Sequence, residues 1–363
     1  MQERTPRRYV IVTDGYLLNR HAKTAHGMLR YTEDEIVAVI DGGYAGKDVA
    51  DVLPALHRSA PIVASVKEAL PFAPTSLLVG VATAGGILPP QFRAHVLDAI
   101  DAGLEIVSGL HQLLRDDPEF VTRAQKSGAR FWDVRLPPTS IPLFSGAAYR
   151  VPQVVALAVG SDCAVGKKSV MIELQRAAVA AGDRAEFVAT GQTGVMISGK
   201  GIVVDRVISD FVSGAAEQLV LGVSADARYA LVEGQGSILH PAYGAVTLGL
   251  LYGSAPDVLV LCHECGRELV EDFDVKIPDL NALRRMHESL LAPIKPAACV
   301  AVALNTQRLN EAQAREAIAA AQRDTDLPAD DVVRFGGARL WTAVRAAATQ
   351  TAKARAHAQP LQA

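Results

Sequence analysis

Short apolar runs rich in β-branched residues recur along the chain, separated by longer stretches in which apolar positions follow the spacing of one helix face. Tyr9-Val-Ile-Val-Thr13, Ile36-Val-Ala-Val-Ile40, Pro61-Ile-Val-Ala64, Leu77-Leu-Val-Gly-Val-Ala82, Leu104-Glu-Ile-Val-Ser108 and Phe131-Trp-Asp-Val-Arg135 read as strands. After a gap the pattern resumes with Val154 to Gly160, Arg184 to Thr190, the strand that ends at Leu231-Val232, Asp257 to Cys262 and Cys299 to Leu304. Helices are predicted over Lys23–Arg30, from Asp117 onward, from Ser169 onward, over Glu311–Ala321, and over Leu340–Ala358 with a basic, frayed end. Near-continuous apolar strands alternating with helices mean parallel sheets covered on both faces. The fold class is therefore α/β.

Leu136-Pro-Pro-Thr-Ser-Ile-Pro-Leu-Phe-Ser-Gly146 carries three prolines and no charge, and so reads as a linker. The expected division is a Rossmann-like parallel-sheet domain over 1–135, a Pro-rich linker over 136–150 and a phosphate-loop-containing parallel α/β domain over 151–363. At 363 residues the chain is long enough for two full cores.

The carboxyl ends of parallel strands are where such sheets bind ligands. In the first half these ends carry Asp14-Gly15, Asp41-Gly42-Gly43, Thr83-Ala-Gly-Gly86, Ser108-Gly-Leu-His111 and Asp116-Asp117-Pro118. Asp41, after the second strand, stands where a Rossmann domain holds a ribose. No G-x-G-x-x-G follows the first strand, however, and a nicotinamide cofactor is not expected. Asp117-Pro118-Glu119 reads as a helix N-cap with proline at the first helical position rather than as half of an acid pair.

The second half holds the strongest chemical signal. The strand ending at Gly160 runs into Ser161, Asp162, Cys163, Ala164, Val165, Gly166, Lys167, Lys168 and Ser169, and then into a helix. Loop N–H groups, the positive end of the helix dipole and a lysine converge on one point, which makes a site for a di- or triphosphate. The common pattern G-x-x-x-x-G-K-[ST] is missed twice: five residues separate Gly160 from Gly166, and Lys168 stands where Ser or Thr belongs. That hydroxyl normally ligates Mg²⁺, which an ammonium cannot do, and Ser169 is turned away by about 100° on the helix. Phosphate binding without magnesium is expected.

The loop length resembles that of dethiobiotin synthetases, whose loop reads G-T-D-T-x-V-G-K-T. Val232-Glu233-Gly-Gln-Gly resembles their V-E-G-A-G-G, where the carboxylate lies across from the phosphate loop. With His240 following closely, Glu233 and His240 are the candidate acid/base pair. Asn305 matches the asparagine with which those enzymes read adenine, and is equally explained as a turn residue at a strand end.

Composition narrows the class. Half of the residues are hydrophobic and the net charge is −3, which argues against a protein built to neutralise nucleic-acid phosphates. The segment Met1 to Arg8 lacks the apolar core of a signal peptide, and the longest uncharged run, Ala69 to Phe92, is broken by prolines and by Gly85-Gly86. No membrane partner is expected. Four scattered cysteines suit a reducing cytoplasm. Cys262-His-Glu-Cys265 has no second ligand pair at zinc spacing and reads as a strand end, so no metal is assigned.

Asp14-Gly15 with Ala22-Lys-Thr-Ala25, Gly109-Leu-His111, Trp132-Asp-Val-Arg135, the loop Gly160 to Ser169, Val188 to Gly194 and Val232 to Tyr243 together resemble one family over nearly the whole chain. It is the two-domain phosphate-loop family formerly catalogued as a domain of unknown function, which includes DgcN-type D-glutamate N-acetyltransferases. The resemblance implies acetyl-CoA as donor and a small-molecule amino acid, D-glutamate, as acceptor. A homo-oligomer is the expected assembly. Coenzyme A carries a pyrophosphate and needs no metal for acyl transfer, which suits Lys168. The competing readings are an ATP- and Mg-dependent ligase or kinase resembling dethiobiotin synthetase, and a non-catalytic nucleotide sensor.

Overall fold

The apolar runs assemble into two six-stranded sheets, each parallel throughout. In the computed structural model, which describes residues 6–357, the first sheet comprises β1 (Arg8–Val12), β2 (Glu35–Ile40), β3 (Ile62–Val63), β4 (Ser76–Val79), β5 (Glu105–Ser108) and β6 (Phe131–Asp133). Their order is β3-β2-β1-β4-β5-β6, the doubly wound order of a dinucleotide-binding sheet. Val10, Val12, Ile40, Leu77, Val79 and Ile106 supply its buried face.

In this order the ligand crevice lies where the winding reverses, between β1 and β4. Here the protein's own backbone occupies it. Ala25, in the first turn of the helix Lys23–Tyr31, donates its N–H to the Gly80 carbonyl (2.8 Å), and Ala82 donates to the His21 carbonyl (2.8 Å). Asp41 is wholly buried and accepts from Thr13 Oγ1 (3.1 Å), Gly15 N (3.1 Å), Leu17 N (3.2 Å) and Gly43 N (3.2 Å). The carboxylate that stands in the ribose position thus ties loops together. Asp117 caps the helix Pro118–Ser127 through the N–H groups of Glu119 and Phe120, with Pro118 at its first position.

The first unit runs to Pro137 and also takes in Gln192–Arg206, an excursion from the later sequence. Its helix, Gln192–Ser198, packs where Gly109 leaves room: a β-carbon on Gly109 would lie 2.8 Å from Gln192 Cγ. Buried Arg135 donates to the Gly109 carbonyl (2.7 Å) and pairs with Asp205, while Arg206 donates to the His111 carbonyl. Three stretches far apart in sequence, around Gly109, Arg135 and Gln192, therefore meet on one sheet edge.

The second unit holds Pro138–Gly191 and everything from Val207. Of the stretch 136–150, expected as a linker, residues from Pro138 pack with this unit. Glu217 accepts from Ser145 N (2.7 Å), Ser145 Oγ (2.9 Å) and Ala148 N (3.1 Å).

Its sheet comprises β7 (Val154–Gly160), β8 (Ala185–Val188), β9 (Tyr229–Val232), β10 (Val258–Glu264), β11 (Ala298–Asn305) and β12 (Ala329–Asp330), in the order β12-β11-β10-β7-β9-β8. Two-residue β12 is too short to show a period and was not anticipated. The last helix, Ala338–His357, docks through Trp341, which meets Tyr229 edge to face (4.8 Å) and donates to Asp183 (2.9 Å). Ala358, expected in that helix, and Met1 to Thr5 lie outside the described residues. No helix among the described residues is long and apolar enough to cross a membrane.

Candidate active site at the phosphate loop

β7 is buried along its whole length and delivers the chain at Gly160 to the loop. The helix Lys167–Ala180 then begins at Gly166, whose φ of 107° is open to glycine alone. No side chain caps this helix and no acid lies in its first turn, so its N-terminal N–H groups face the loop. Two consecutive lysines stand at the positive end of its dipole, an arrangement that destabilises the helix unless an anion binds there.

Lys167 is only 6 % exposed. Its stem passes Gly160 and Gly234, and its ammonium donates to the Asp162 carbonyl (2.6 Å). A β-carbon on Gly234 would fall on the Ala158 carbonyl and within 2.9 Å of Lys167 Cδ, so only glycine fits there. Burial pushes the Lys167 ammonium below its ordinary pKa.

The residues expected to line the loop divide into two groups. Ser161 and Asp162 are wholly buried and fix its shape. Ser161 N donates to the Cys262 carbonyl (3.0 Å), its hydroxyl meets His263 Nδ1 (2.9 Å), and Ser237 donates to its carbonyl (3.1 Å). Asp162 Oδ2 accepts from Arg267 (2.8 Å) and from Glu271 N (2.7 Å), and its Oδ1 from Cys163 N (2.7 Å). Arg267 is held in turn by Glu264. Val165 is also buried, whereas Cys163, Gly166, Lys168 and Ser169 are half-buried and Ala164 is exposed. Arg267 and the Glu271 amide escaped the sequence reading because the segment after β10 carries no familiar motif. The one signal there was the i, i+3 spacing of Glu264 and Arg267.

Glu233 follows β9 and is 4 % exposed. Its Oε2 accepts from Thr190 N (3.0 Å) and Gly191 N (2.9 Å), the last two residues before the excursion. Burial raises its pKa, and the Lys168 charge and these N–H groups offset that only in part. His240, equally buried, accepts at Nδ1 from Ala242 N (3.2 Å), which assigns its proton to Nε2. Asn305 ends β11, and its Oδ1 accepts from Gln307 N (3.2 Å) in a turn. Cys262 and Cys265 sit at the end of β10, and burial drives the Cys262 thiol up to about 12.

Heteroatoms of Asp162, Cys163 and His240 lie within 4.8 Å of one another. Both Asp162 oxygens accept hydrogen bonds from the protein, one of them charge-assisted, and His240 Nδ1 accepts another, so Asp162 and His240 are held in the loop's own network. The proximity places His240 against the loop.

Residues 142–341 match the family described as "Domain of unknown function (DUF1611_C) P-loop domain", and residues 43–137 match its "Rossmann-like domain" (DUF1611_N). The chain belongs to the DUF1611 family. A crystal structure of a DUF1611 protein from Anabaena variabilis is 40 % identical and superposes with a TM-score of 0.89, over 94 % of this chain and 99 % of that one. Two curated relatives are named D-glutamate N-acetyltransferase. The one from Tritonibacter scottomollicae is 36 % identical over 78 % of this chain and 84 % of its own length; the one from a Pseudoalteromonas species is 34 % identical over 75 % and 82 %.

In this DUF1611 chain the raised pKa of Glu233 has a consequence for stability. The folded protein holds that proton more tightly than the unfolded chain does, so the contribution is fully present below the unfolded pKa and is lost as pH rises through the folded one. Glu233→Gln keeps an acceptor oxygen and carries no charge to desolvate. It is expected to melt above wild type on the alkaline side, with the gap closing toward acid pH. A gap that is negative, or that does not change with pH, would show that Lys168 and the two amides fully satisfy the buried charge.

Proposed function

We propose that the protein is an acetyl-CoA-dependent N-acetyltransferase whose acceptor is D-glutamate, acting in the cytoplasm in D-amino acid catabolism. The observation that carries the donor half is the uncapped helix end bearing Lys167 and Lys168, with Lys167 buried and desolvated: it is built for a polyanion such as the coenzyme A pyrophosphate. The relatives named D-glutamate N-acetyltransferase support the reaction class and the acceptor. Free thiols at all four cysteines fit a reducing compartment.

In this reading Glu233 removes a proton from the substrate ammonium, and the amine nitrogen then attacks the thioester carbonyl. N–H groups of the turn Gly234-Gln235-Gly236 stabilise the oxyanion, the C–S bond breaks, and the second proton lost by the attacking nitrogen passes to the coenzyme A thiolate, leaving the neutral amide. Glu233 suits the base better than His240, whose Nδ1 lone pair is already engaged.

The expected result is N-acetylation of D-glutamate from acetyl-CoA with no added metal and in the presence of EDTA. Acetyl-CoA at 100 times its dissociation constant should add about 2.7 kcal/mol of stability. A larger melting shift with Mg-ATP than with acetyl-CoA, or activity lost to chelator and restored by Mg²⁺, would favour a ligase or kinase. Tight binding without turnover of any amine would favour a sensor.

A further inference from the structure

We propose that Tyr243 and Phe273, both packed against the His240 ring, form a stacking slot for the purine base of the phosphate-bearing donor. This rests on the reading of the loop as a phosphate site. The His240 ring lies 4.5 Å from Tyr243 at an interplanar angle of 38°, and 5.1 Å from Phe273 at 76°. His240 is buried, while Tyr243 is 53 % and Phe273 38 % exposed, so the cluster turns open aromatic surface to solvent.

Two segments distant in sequence build the slot, and each is anchored to the loop itself. The one after β9 is tied down by Ser237 on the Ser161 carbonyl and by His240, whose ring nitrogen lies within 4.8 Å of Asp162 and Cys163. The one after β10 is tied by Arg267 and by the Glu271 amide on Asp162, two residues before Phe273. The aromatic surface is thereby fixed at the rim of the cationic loop.

That juxtaposition selects a ligand chemistry. In adenosine phosphates only a ribose and one methylene separate base from phosphate, so a pyrophosphate held by Lys167 and the helix end leaves its base close to the loop's rim. A flat aromatic face there takes a base by stacking, without needing hydrogen-bond partners. Asn305, the residue that dethiobiotin-like geometry would use, has its side-chain carbonyl engaged with Gln307 N.

The test is titration of the whole protein with 1,N6-etheno-coenzyme A, whose fluorescence is quenched when the base stacks, alongside calorimetry with inorganic pyrophosphate. Wild type is expected to bind the probe with quenching. Tyr243→Ala and Phe273→Ala should each weaken it by about tenfold and lose most of the quenching, because stacking contributes roughly that much per base. Tyr243→Phe, which keeps the ring, should retain the quenching. Pyrophosphate affinity should stay near wild type in all three, which also shows that the loop is folded. Unaltered quenching in both alanine variants, or its loss in Asn305→Ala instead, overturns the slot alone. If wild type binds neither probe nor pyrophosphate, the phosphate reading falls and the slot with it.

Discussion

Glu233→Gln is expected to lower kcat for D-glutamate acetylation by about 10² to 10⁴-fold, the range a positioned base supplies, while acetyl-CoA binds almost as tightly as before. The glutamine can still accept from Thr190 N and Gly191 N, which meet one carboxylate oxygen at 3.0 and 2.9 Å, so the turn holding it should survive. What it cannot do is accept the ammonium proton. Burial has made this carboxylate more basic than one in water, which suits it to that step. Combined with the higher melting temperature expected at alkaline pH, the substitution should separate the two roles: a more stable protein that turns over slowly. A variant that melts lower and keeps its kcat would make Glu233 a brace for the Gly191 turn and nothing more.

Local pattern was enough to read every described strand except β12, because each of the others is an apolar run closed by glycine or a polar residue. β7 is buried from Val154 to Gly160, and its glycine, loop and lysine follow in uninterrupted sequence. The phosphate loop was legible for the same reason: its parts are contiguous. The parts supplied from elsewhere were not. Asp162 looks like a ligand in a linear motif, and only the folded chain brings Arg267 and the Glu271 amide onto its carboxylate. The same holds for the excursion Gln192–Arg206. Its helix, Gln192–Ser198, contains Gly194 and β-branched residues and gives no local helical signal, and its place beside Gly109 and Arg135 depends on contacts across scores of residues that no period encodes. Phe273 lies in an irregular segment and gains meaning only from the histidine it packs against.

Lys167→Ala is expected to raise KM for acetyl-CoA by about ten- to a hundredfold, the worth of one hydrogen bond to a charged group, with kcat nearly retained at saturating donor. The lysine touches phosphates that are the same in ground and transition states, so its loss weakens uniform binding rather than the chemical step. Without ligand the variant should be no less stable than wild type, because it removes a buried cation that has no side-chain acid in its helix turn to answer it. The pH dependence of binding provides an independent check. Burial holds the free ammonium below its usual pKa, and bound phosphates must pull it back up. Affinity should therefore be full below the free-state pKa and fall as pH rises through the bound-state value, with a proton taken up on binding between the two. Lys167→Ala should abolish that slope. If the slope persists in the variant, or if kcat rather than KM collapses, then Lys167 does not hold the donor's phosphates but works at the reacting carbonyl, and the loop is the site of acyl transfer itself.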